Sequence, residues 1–289
     1  MRGNVTGTLL QQGDCAWARV DAGYTSFSPG DYTGFDVNQT AYRMGVQKEV
    51  ATGWFLGAAA SYGLDWFSNE FGYSSTQGQE VGISASLKRE LGPWLLSGAA
   101  HFGYGWYDAS RQTVIGTSTY LSDSSYETYT FAGRLRAEYH LPFQNWYLKP
   151  YGQMDVIYTS VPGFSEGGHL SPYDLAVAQN DNFTVALGPH LEIGARYDLP
   201  DGSVLRPYGA IGATWYSNNT WDVTAALLNA PVGAGSFSTV VALPDWLADV
   251  TLGVQWSAKD NIDLRLSYEG VAGNDFISHA GSLRFSVRF

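Results

Sequence analysis

Apolar and polar residues alternate at every second position along most of this chain. In the segment 53–67, one face carries Trp54, Leu56 and Trp66, with smaller apolar residues and a tyrosine between them. The other face carries mainly glycine, alanine, serine and aspartate. A period of two residues is typical of a β-strand with one apolar and one polar face, so the pattern predicts an all-β protein.

The same pattern predicts about twelve strands, most of them about 10 to 16 residues long, which is enough to cross a bilayer at a tilt. We place them at 15–28, 36–49, 53–68, 76–90, 94–109, 125–140, 146–158, 181–198, 204–219, 245–257, 261–270 and 277–289. Short turns alternate with longer loops, as in an antiparallel up-and-down barrel with an even number of strands. Pro189 falls inside a strand, where it cannot donate to the ladder, so we expect a β-bulge or a misplaced boundary there.

Aromatic residues cluster toward both ends of the apolar face. Tyrosine and tryptophan prefer the membrane–water interface because each has an apolar body and a polar tip. Two aromatic girdles with aliphatic residues between them are typical of a lipid-facing surface. We therefore predict a transmembrane β-barrel of the outer-membrane type rather than a soluble β protein. The predicted girdle residues are Trp54, Trp66, Trp94, Trp106, Trp146, Tyr158, Tyr197, Trp246 and Trp256.

The polar face carries many charged residues, which we predict to line a hydrated pore. A soluble core could not hold them, because burying each ion costs several kcal/mol. The predicted pore-lining charges are Arg43, Lys88, Arg134, Arg136, Glu138, Lys149, Asp155, Glu192, Arg196, Arg206, Asp263, Arg265, Glu269, Arg284 and Arg288.

Strands three to five contribute mainly small residues to the pore, whereas strands six to twelve contribute most of the charge. The predicted small pore-lining residues are Gly53, Gly57, Ala59, Ser61, Gly63, Gly82, Ser84, Ser86, Gly103 and Gly105. We interpret this side as a path for a transiting or plugging segment. The alternative is that glycine there only permits curvature and close packing.

The composition of the chain argues against several classes of partner and site. A net charge of −11 without a basic cluster argues against nucleic acid as a partner. The single cysteine, Cys15, excludes an internal disulfide and a multi-cysteine metal site. No stretch approaches the roughly 18 apolar residues of a transmembrane helix.

Catalytic and cofactor motifs are missing from the sequence. The five histidines have no partner at metal-ligand spacing, so we predict no metal, no cofactor and no catalytic residue; they are His101, His140, His169, His190 and His279. An outer-membrane phospholipase would need a serine beside a histidine on the lipid face. Ser278 and His279 are adjacent in sequence and therefore point to opposite faces of a strand.

Six sequence segments follow one another in a recognisable order and spacing. They are GDCAWARVDAGY, FDVNQTAYRMGVQKEVATGWFLGAAASYGLD, GPWLLSGAAHFGYGWYD, WYLKPYGQMDV, LRPYGAIGATW and LRFSVRF. Through them the chain resembles the C-terminal translocator (β) domain of type Va autotransporters, from about residue 14 to 289. The resemblance implies a twelve-stranded, monomeric barrel in the outer membrane of a Gram-negative bacterium.

The resemblance also implies a function in type V secretion. Such a barrel anchors an upstream passenger domain, helps to export it to the cell surface, and holds the linker in its pore. The main alternative is a stand-alone outer-membrane channel, and a phospholipase-type hydrolase is less favoured. Expected partners are the chain's own passenger and linker, outer-membrane lipid and the barrel assembly machinery.

The final strand matches the signal that this assembly machinery reads in outer-membrane proteins. The matching residues are Leu283, Phe285, Val287 and Phe289, whereas His279 departs from the pattern. We assign 15–289 to the barrel domain. Residues 1–14 are expected to be a linker remnant or added residues, too short for a pore helix, with the passenger and most of the linker outside this sequence.

Overall fold

The computed structural model of the chain describes residues 13–30, 34–168, 171–231, 233–258 and 261–289. Most of the segment 1–14 therefore lies outside the described residues. In the described residues, no helix is long and apolar enough to cross a membrane. The strands are β1 (Cys15–Phe27), β2 (Phe35–Ala51), β3 (Trp54–Asn69), β4 (Ser74–Leu91), β5 (Trp94–Ile115), β6 (Ser118–Tyr139), β7 (Leu141–Pro142), β8 (Trp146–Val161), β9 (Phe164–Ser165), β10 (Leu175–Val177), β11 (Asn180–Ala195), β12 (Tyr197–Asp198), β13 (Val204–Tyr216), β14 (Thr220–Leu227), β15 (Phe237–Ala242), β16 (Trp246–Ser257), β17 (Ile262–Gly273) and β18 (Phe276–Arg288).

Twelve long strands of the described chain close into one antiparallel barrel. Their order is β1, β2, β3, β4, β5, β6, β8, β11, β13, β16, β17 and β18, and β18 pairs again with β1. The ladder between β1 and β18 is continuous from Cys15–Arg288 to Phe27–Phe276. Closure leaves the barrel without a free strand edge. The predicted all-β, up-and-down, twelve-stranded fold is confirmed.

The hairpin of β5 and β6 is longer than predicted. The segment 110–124 was expected to be a loop, but β5 continues to Ile115 and β6 begins at Ser118. Gly116 occupies the turn with a φ of 62°. This segment is mostly polar on both faces, so it lacks the one-sided apolar pattern on which the prediction depended.

The two longest predicted loops, 159–180 and 220–244, also contain strands. Within the described residues, β9, β10, β14 and β15 form a separate four-stranded antiparallel sheet at the loop end of the barrel. The ladder between β14 and β15 runs from Thr220–Ala242 to Ala225–Phe237. Strands of two to eight residues are too short to show a clear alternation.

The expected β-bulge at Pro189 is not present. Leu187 pairs with Trp215 and His190 pairs with Gly212, so the register between β11 and β13 is the same on both sides of the proline. Between these two pairs, Gly188 and Pro189 lack a partner on β13, whereas both pair with β8. The missing proline donor therefore interrupts one ladder without shifting it.

The barrel has its apolar side chains outside and its polar side chains inside. Ile83 and Ile211 are each 65% exposed, whereas Glu192 is only 6% exposed. Leu56 and Leu96 are also exposed. Soluble proteins show the opposite arrangement, since charged residues are rarely buried unless they are paired.

Candidate functional site

The interior of the barrel contains three cavities at successive depths. The lower cavity, at the end with the short turns, has a volume of about 370 Å³ and is lined by Lys149, Glu192 and Arg284 among others. The central cavity, of about 530 Å³, is lined by the small residues of β3 to β5 on one side. The upper cavity, of about 460 Å³, lies at the loop end. Together they form the candidate site, which we call the lumen.

An ion-pair network crosses β6, β8 and β11 in the lower cavity. Lys149 Nζ lies 3.0 Å from Glu192 Oε2 and 3.3 Å from Glu138 Oε2. Arg136 Nε lies 2.8 Å from Glu138 Oε1. The Tyr147 hydroxyl donates to Glu192 Oε1 at 2.6 Å. The network satisfies charges that would otherwise be costly to bury.

Two further ion pairs join neighbouring strands. Arg134 donates to Asp155 through Nε at 2.6 Å and through Nη2 at 3.0 Å. Arg288 Nε lies 2.9 Å from Asp263 Oδ2. The first pair has the two-bond geometry that suits a guanidinium and a carboxylate. Much of the predicted pore charge is thus neutralised within the wall.

Two predicted charges contact aromatic rings instead. The Arg265 guanidinium lies 4.6 Å from the centre of the Tyr208 ring, and its Nε donates to the Tyr208 hydroxyl at 2.7 Å. The Arg284 guanidinium lies 4.6 Å from the ring of Trp17. Lys88 and Arg284 each line both the lower and the central cavity.

Two further predicted cations make local contacts. Arg206 Nη1 donates to Ser257 Oγ at 3.2 Å. Arg196 Nη2 lies 2.7 Å from the exposed carboxylate of Asp198. Neither Arg196 nor Arg206 is among the residues that line the three cavities.

Arg19 and Asp21 were not among the predicted pore-lining residues. Arg19 Nε lies 2.5 Å from Asp21 Oδ1, and Arg43 Nη1 lies 3.1 Å from Asp21 Oδ2. Glu269 lies 3.7 Å from Arg19 Nη2. The alternation in β1 indicates their position, because Arg19 and Asp21 have the opposite strand parity to Val20, which is exposed on the outer face.

The small-residue side is closely packed at several positions. A Cβ atom added at Gly57 would lie 2.5 Å from Ser86 Oγ, and one added at Gly82 would lie 2.6 Å from Ser61 Oγ. At Gly63 the same atom would meet only ordinary contacts. Gly53 lies outside β3, in the preceding turn, with a φ of 71°. Turn geometry therefore accounts for that glycine.

The other small residues fall into two groups. One group lines the central cavity and includes Ala59 and Ser84. The other group consists of glycines that lie close to polar side chains. A Cβ atom at Gly103 would lie 3.0 Å from the Glu80 carboxyl group, and one at Gly105 would lie 2.6 Å from Thr128 Oγ1. Both glycines therefore make room for polar side chains of the lumen.

Two histidines of the lumen contact carboxylates. His101 Nδ1 lies 2.9 Å from Ser84 Oγ, and its Nε2 lies 3.8 Å from Glu80. His190 Nε2 lies 3.4 Å from Asp249. Glu80 and Asp249 were absent from the predicted set, although their strand parity matches it. His140 packs beside a tyrosine ring, and His169 lies outside the described residues.

The serine and histidine that a lipid-face hydrolase would need do not meet. Ser278 Oγ lies 2.8 Å from Thr25 Oγ1, whereas His279 Nδ1 lies 2.5 Å from the Tyr268 hydroxyl. Ser278 and His279 thus contact different partners. The described residues also contain no group of three or more histidine, cysteine or acidic side chains that could hold a metal ion.

Most of the predicted girdle residues lie near an end of their strand. Near the short turns lie Trp54, Trp94, Trp146, Tyr197 and Trp256, and near the long loops lie Trp66, Tyr158 and Trp246. Trp106 lies inside β5, because that strand continues to Ile115. Except for Tyr158, all of these side chains are exposed.

The loop-end sheet is attached to the extended β5–β6 hairpin. Arg111 Nε donates to Glu166 Oε1 at 2.8 Å, and Arg111 Nη2 donates to the Tyr173 carbonyl at 2.9 Å. Asp123 and Gly167 form a β-bridge. The hydrogen bond to Glu166 raises the pKa of Arg111 above its ordinary value.

The final strand presents its predicted signal residues outward. Leu283, Phe285, Val287 and Phe289 are all exposed, and Phe289 is 78% exposed. The backbone N–H of Phe289 donates to the Asp14 carbonyl at 3.2 Å. The residues of β18 with the opposite parity, such as Arg284, line the lower cavity.

Comparison with known proteins gives a consistent family and fold. The family model described as the autotransporter beta-domain matches residues 16–269. The fold is similar to the translocator domain of autotransporter NalP from Neisseria meningitidis, with a TM-score of 0.78 and 14% identity over 98% of this chain and 91% of that one. No curated protein sequence matches the chain.

Two further solved structures are similar. The beta domain of the Bordetella autotransporter BrkA has a TM-score of 0.66 and 19% identity, over 96% of this chain and 100% of that one. The transport unit of the autotransporter AIDA-I from Escherichia coli has a TM-score of 0.60 and 12% identity, over 96% and 91%. At these identities the likeness concerns the fold.

The network in the lower cavity predicts a stability effect. Glu192→Gln should lower the free energy of unfolding by about 1–3 kcal/mol, because Lys149 loses a charged partner. The double variant K149Q/E192Q should recover part of this loss, because no unpaired charge remains. Urea titrations of the purified barrel in micelles, followed by tryptophan fluorescence, measure both.

The matched control is Asp198→Asn, whose carboxylate is 68% exposed. This change should alter the free energy by less than about 0.5 kcal/mol. Equal stability of the Glu192 and Asp198 variants would contradict the assigned network.

Proposed function

Because this chain belongs to the autotransporter beta-domain family, we propose that it exports an upstream passenger domain to the cell surface with its linker in the lumen. The chain is an outer-membrane translocator barrel of a Gram-negative bacterium. One observation carries the proposal. Gly13, which precedes β1, lines the lower cavity together with Arg284, and its carbonyl accepts a hydrogen bond from Gln47 Nε2 at 3.0 Å. This position of Gly13 at the start of β1 supports a linker that reaches the barrel wall through the lumen.

The size of the barrel suits such an occupant. An α-helix with its side chains is about 10–12 Å across. Twelve strands place the lumen between filled eight-stranded barrels and open sixteen-stranded porins. One helix or one extended hairpin is therefore the proposed load of the lumen.

The two sides of the lumen have different roles in this proposal. The small-residue side, made by β3 to β5, is the surface along which the transiting segment moves. The charged side, with pairs such as Arg134–Asp155, holds water and keeps its shape through its ion pairs. Small side chains such as Ala59 offer neither charge nor bulk to a passing chain.

The outer surface supports residence in lipid. Exposed aliphatic residues such as Ile83 and Ile211 occupy the middle of their strands. Most of the girdle residues lie near the ends, where tyrosine and tryptophan match the interfacial region. Closure removes the unpaired backbone groups that hydrocarbon does not tolerate, and it supports the monomer as the functional unit.

Assembly is proposed to depend on the final strand. Phe285, Val287 and Phe289 form an exposed apolar row on β18, which the barrel assembly machinery would read before closure against β1. Catalysis has no part in this proposal, because the family is a transport domain.

Reporter display tests the export function. A small folded reporter fused upstream of residue 13 should appear on the cell surface and be accessible to added protease. Gly57→Trp, Ser84→Trp and Gly103→Trp should each reduce display several-fold, because they obstruct the small-residue side. Immunofluorescence of intact cells measures display, and heat-modifiable gel mobility measures the assembled barrel.

Ile83→Trp is the matched control, since it places the same ring on the outer face of β4. Display should stay at the level of the unmodified barrel. Unchanged display in the three lumen variants would refute the assigned path. Failure of the unmodified barrel to display the reporter would refute the export function itself.

Phe289→Ser tests the assembly role. The variant should assemble several-fold less barrel in cells, whereas the purified variant should still refold in detergent, because only recognition is lost. Phe71→Ser, at a loop residue that is 64% exposed, is the control and should assemble normally. Equal amounts of both variants in the outer-membrane fraction would contradict the role.

A further inference from the structure

Four arginines lie side by side on neighbouring strands of the lumen wall. The register places Arg43 of β2 opposite Arg19 of β1, Arg19 opposite Arg284 of β18, and Arg284 opposite Arg265 of β17. Like charges directly opposite one another destabilise a sheet. The arginine row therefore needs counter-charges.

One half of the row has its counter-charges in the wall. Asp21 lies 2.5 Å from Arg19 and 3.1 Å from Arg43, and Glu269 lies 3.7 Å from Arg19. These two carboxylates offset the two guanidinium groups on β1 and β2.

The other half has none among the described residues. No described carboxylate forms an ion pair with Arg265 or Arg284; both cations lie over aromatic rings, those of Tyr208 and Trp17. A ring face stabilises a cation, and Nε of Arg265 also donates to the Tyr208 hydroxyl at 2.7 Å, but neither contact supplies a negative charge. Nε of Arg284 makes no hydrogen bond within the described part of the chain.

The surroundings of Arg265 and Arg284 are also positive. The described residues that line the lower cavity include seven cationic and three acidic side chains, although the whole chain carries a net charge of −11. Arg284 lines the central cavity as well. A solute or segment that passes between the two cavities therefore meets this guanidinium.

We propose that Arg265 and Arg284 form an oxyanion-binding site inside the lumen, whose ligand is a carboxylate or a phosphate. A planar guanidinium matches either group with paired N–H donors. One source of the oxyanion is an acidic segment of the transported polypeptide, and in that case the inference rests on the proposed function. Free inorganic phosphate is the other source of the same chemistry.

Residues 1–14 do not supply this oxyanion. The segment 1–13 contains no acidic residue, and the Asp14 carboxylate accepts from the backbone N–H of Glu49 at 2.6 Å. The proposed ligand is therefore a group other than these residues.

Calorimetric titration of the purified full chain in neutral micelles tests the site with two probes, hexaglutamate and inorganic phosphate. At low salt, Arg265→Gln and Arg284→Gln should each weaken binding about tenfold, and the double variant should weaken it further. Added salt should weaken binding to the unmodified chain, because the site is hydrated. Lys48→Gln, the same charge change at an exposed residue of β2, should leave binding unchanged.

Each outcome has a defined meaning. Tighter binding of hexaglutamate than of phosphate, lost in the double variant, supports the site with a polypeptide as its source. Equal binding of both, lost in the same variant, supports the site with a free oxyanion. Absence of binding, or a double variant that binds like the unmodified chain while retaining heat-modifiable mobility, overturns the proposal. Reporter display is measured separately, so failure of this site and failure of export are distinguishable.

Discussion

The hydrogen-bonded ladder between β1 and β18 is the constraint on which the rest of the structure depends. It joins the first and last strands of the sheet along their length. Without it, two strand edges would face hydrocarbon with unpaired N–H and C=O groups, each costing several kcal/mol. Closure thus makes the sheet compatible with a membrane, and it also creates an interior that lipid cannot enter.

Closure has a second consequence, because successive side chains of a strand point to opposite faces. Each residue of a barrel strand therefore faces either lipid or lumen. In β18, Phe285 is exposed to the outside while the neighbouring Arg284 lines the lower cavity. The proposed assembly signal and the proposed anion site therefore lie on opposite faces of the same strand. The same division allows the lumen to hold Lys149 and Glu192 as a close pair.

Much of the fold was predictable from sequence, because period-two alternation persists in strands such as β3 and β18. The contacts within the lumen were less predictable from sequence. Parity places Arg134 and Asp155 on the inner face, but only the register between β6 and β8 makes them a pair. Arg19 has the correct parity and was overlooked. The loop-end strands were not predicted because segments as short as β9, with two residues, or β10, with three residues, cannot show a period-two alternation. The prediction of a β-bulge at Pro189 was wrong because the loss of one backbone N–H donor need not shift the register between β11 and β13.

Spin-label accessibility at two adjacent residues of β4 tests the central claim most directly. In a Cys15→Ser background, Ile83→Cys and Ser84→Cys are labelled separately with a nitroxide, and the barrel is placed in lipid vesicles. The account predicts that the label at 83 collides mainly with oxygen dissolved in the bilayer. It predicts that the label at 84 collides mainly with a water-soluble nickel chelate. The reverse order, or equal accessibility of the two labels, would contradict a barrel whose apolar face meets lipid and whose polar face surrounds water.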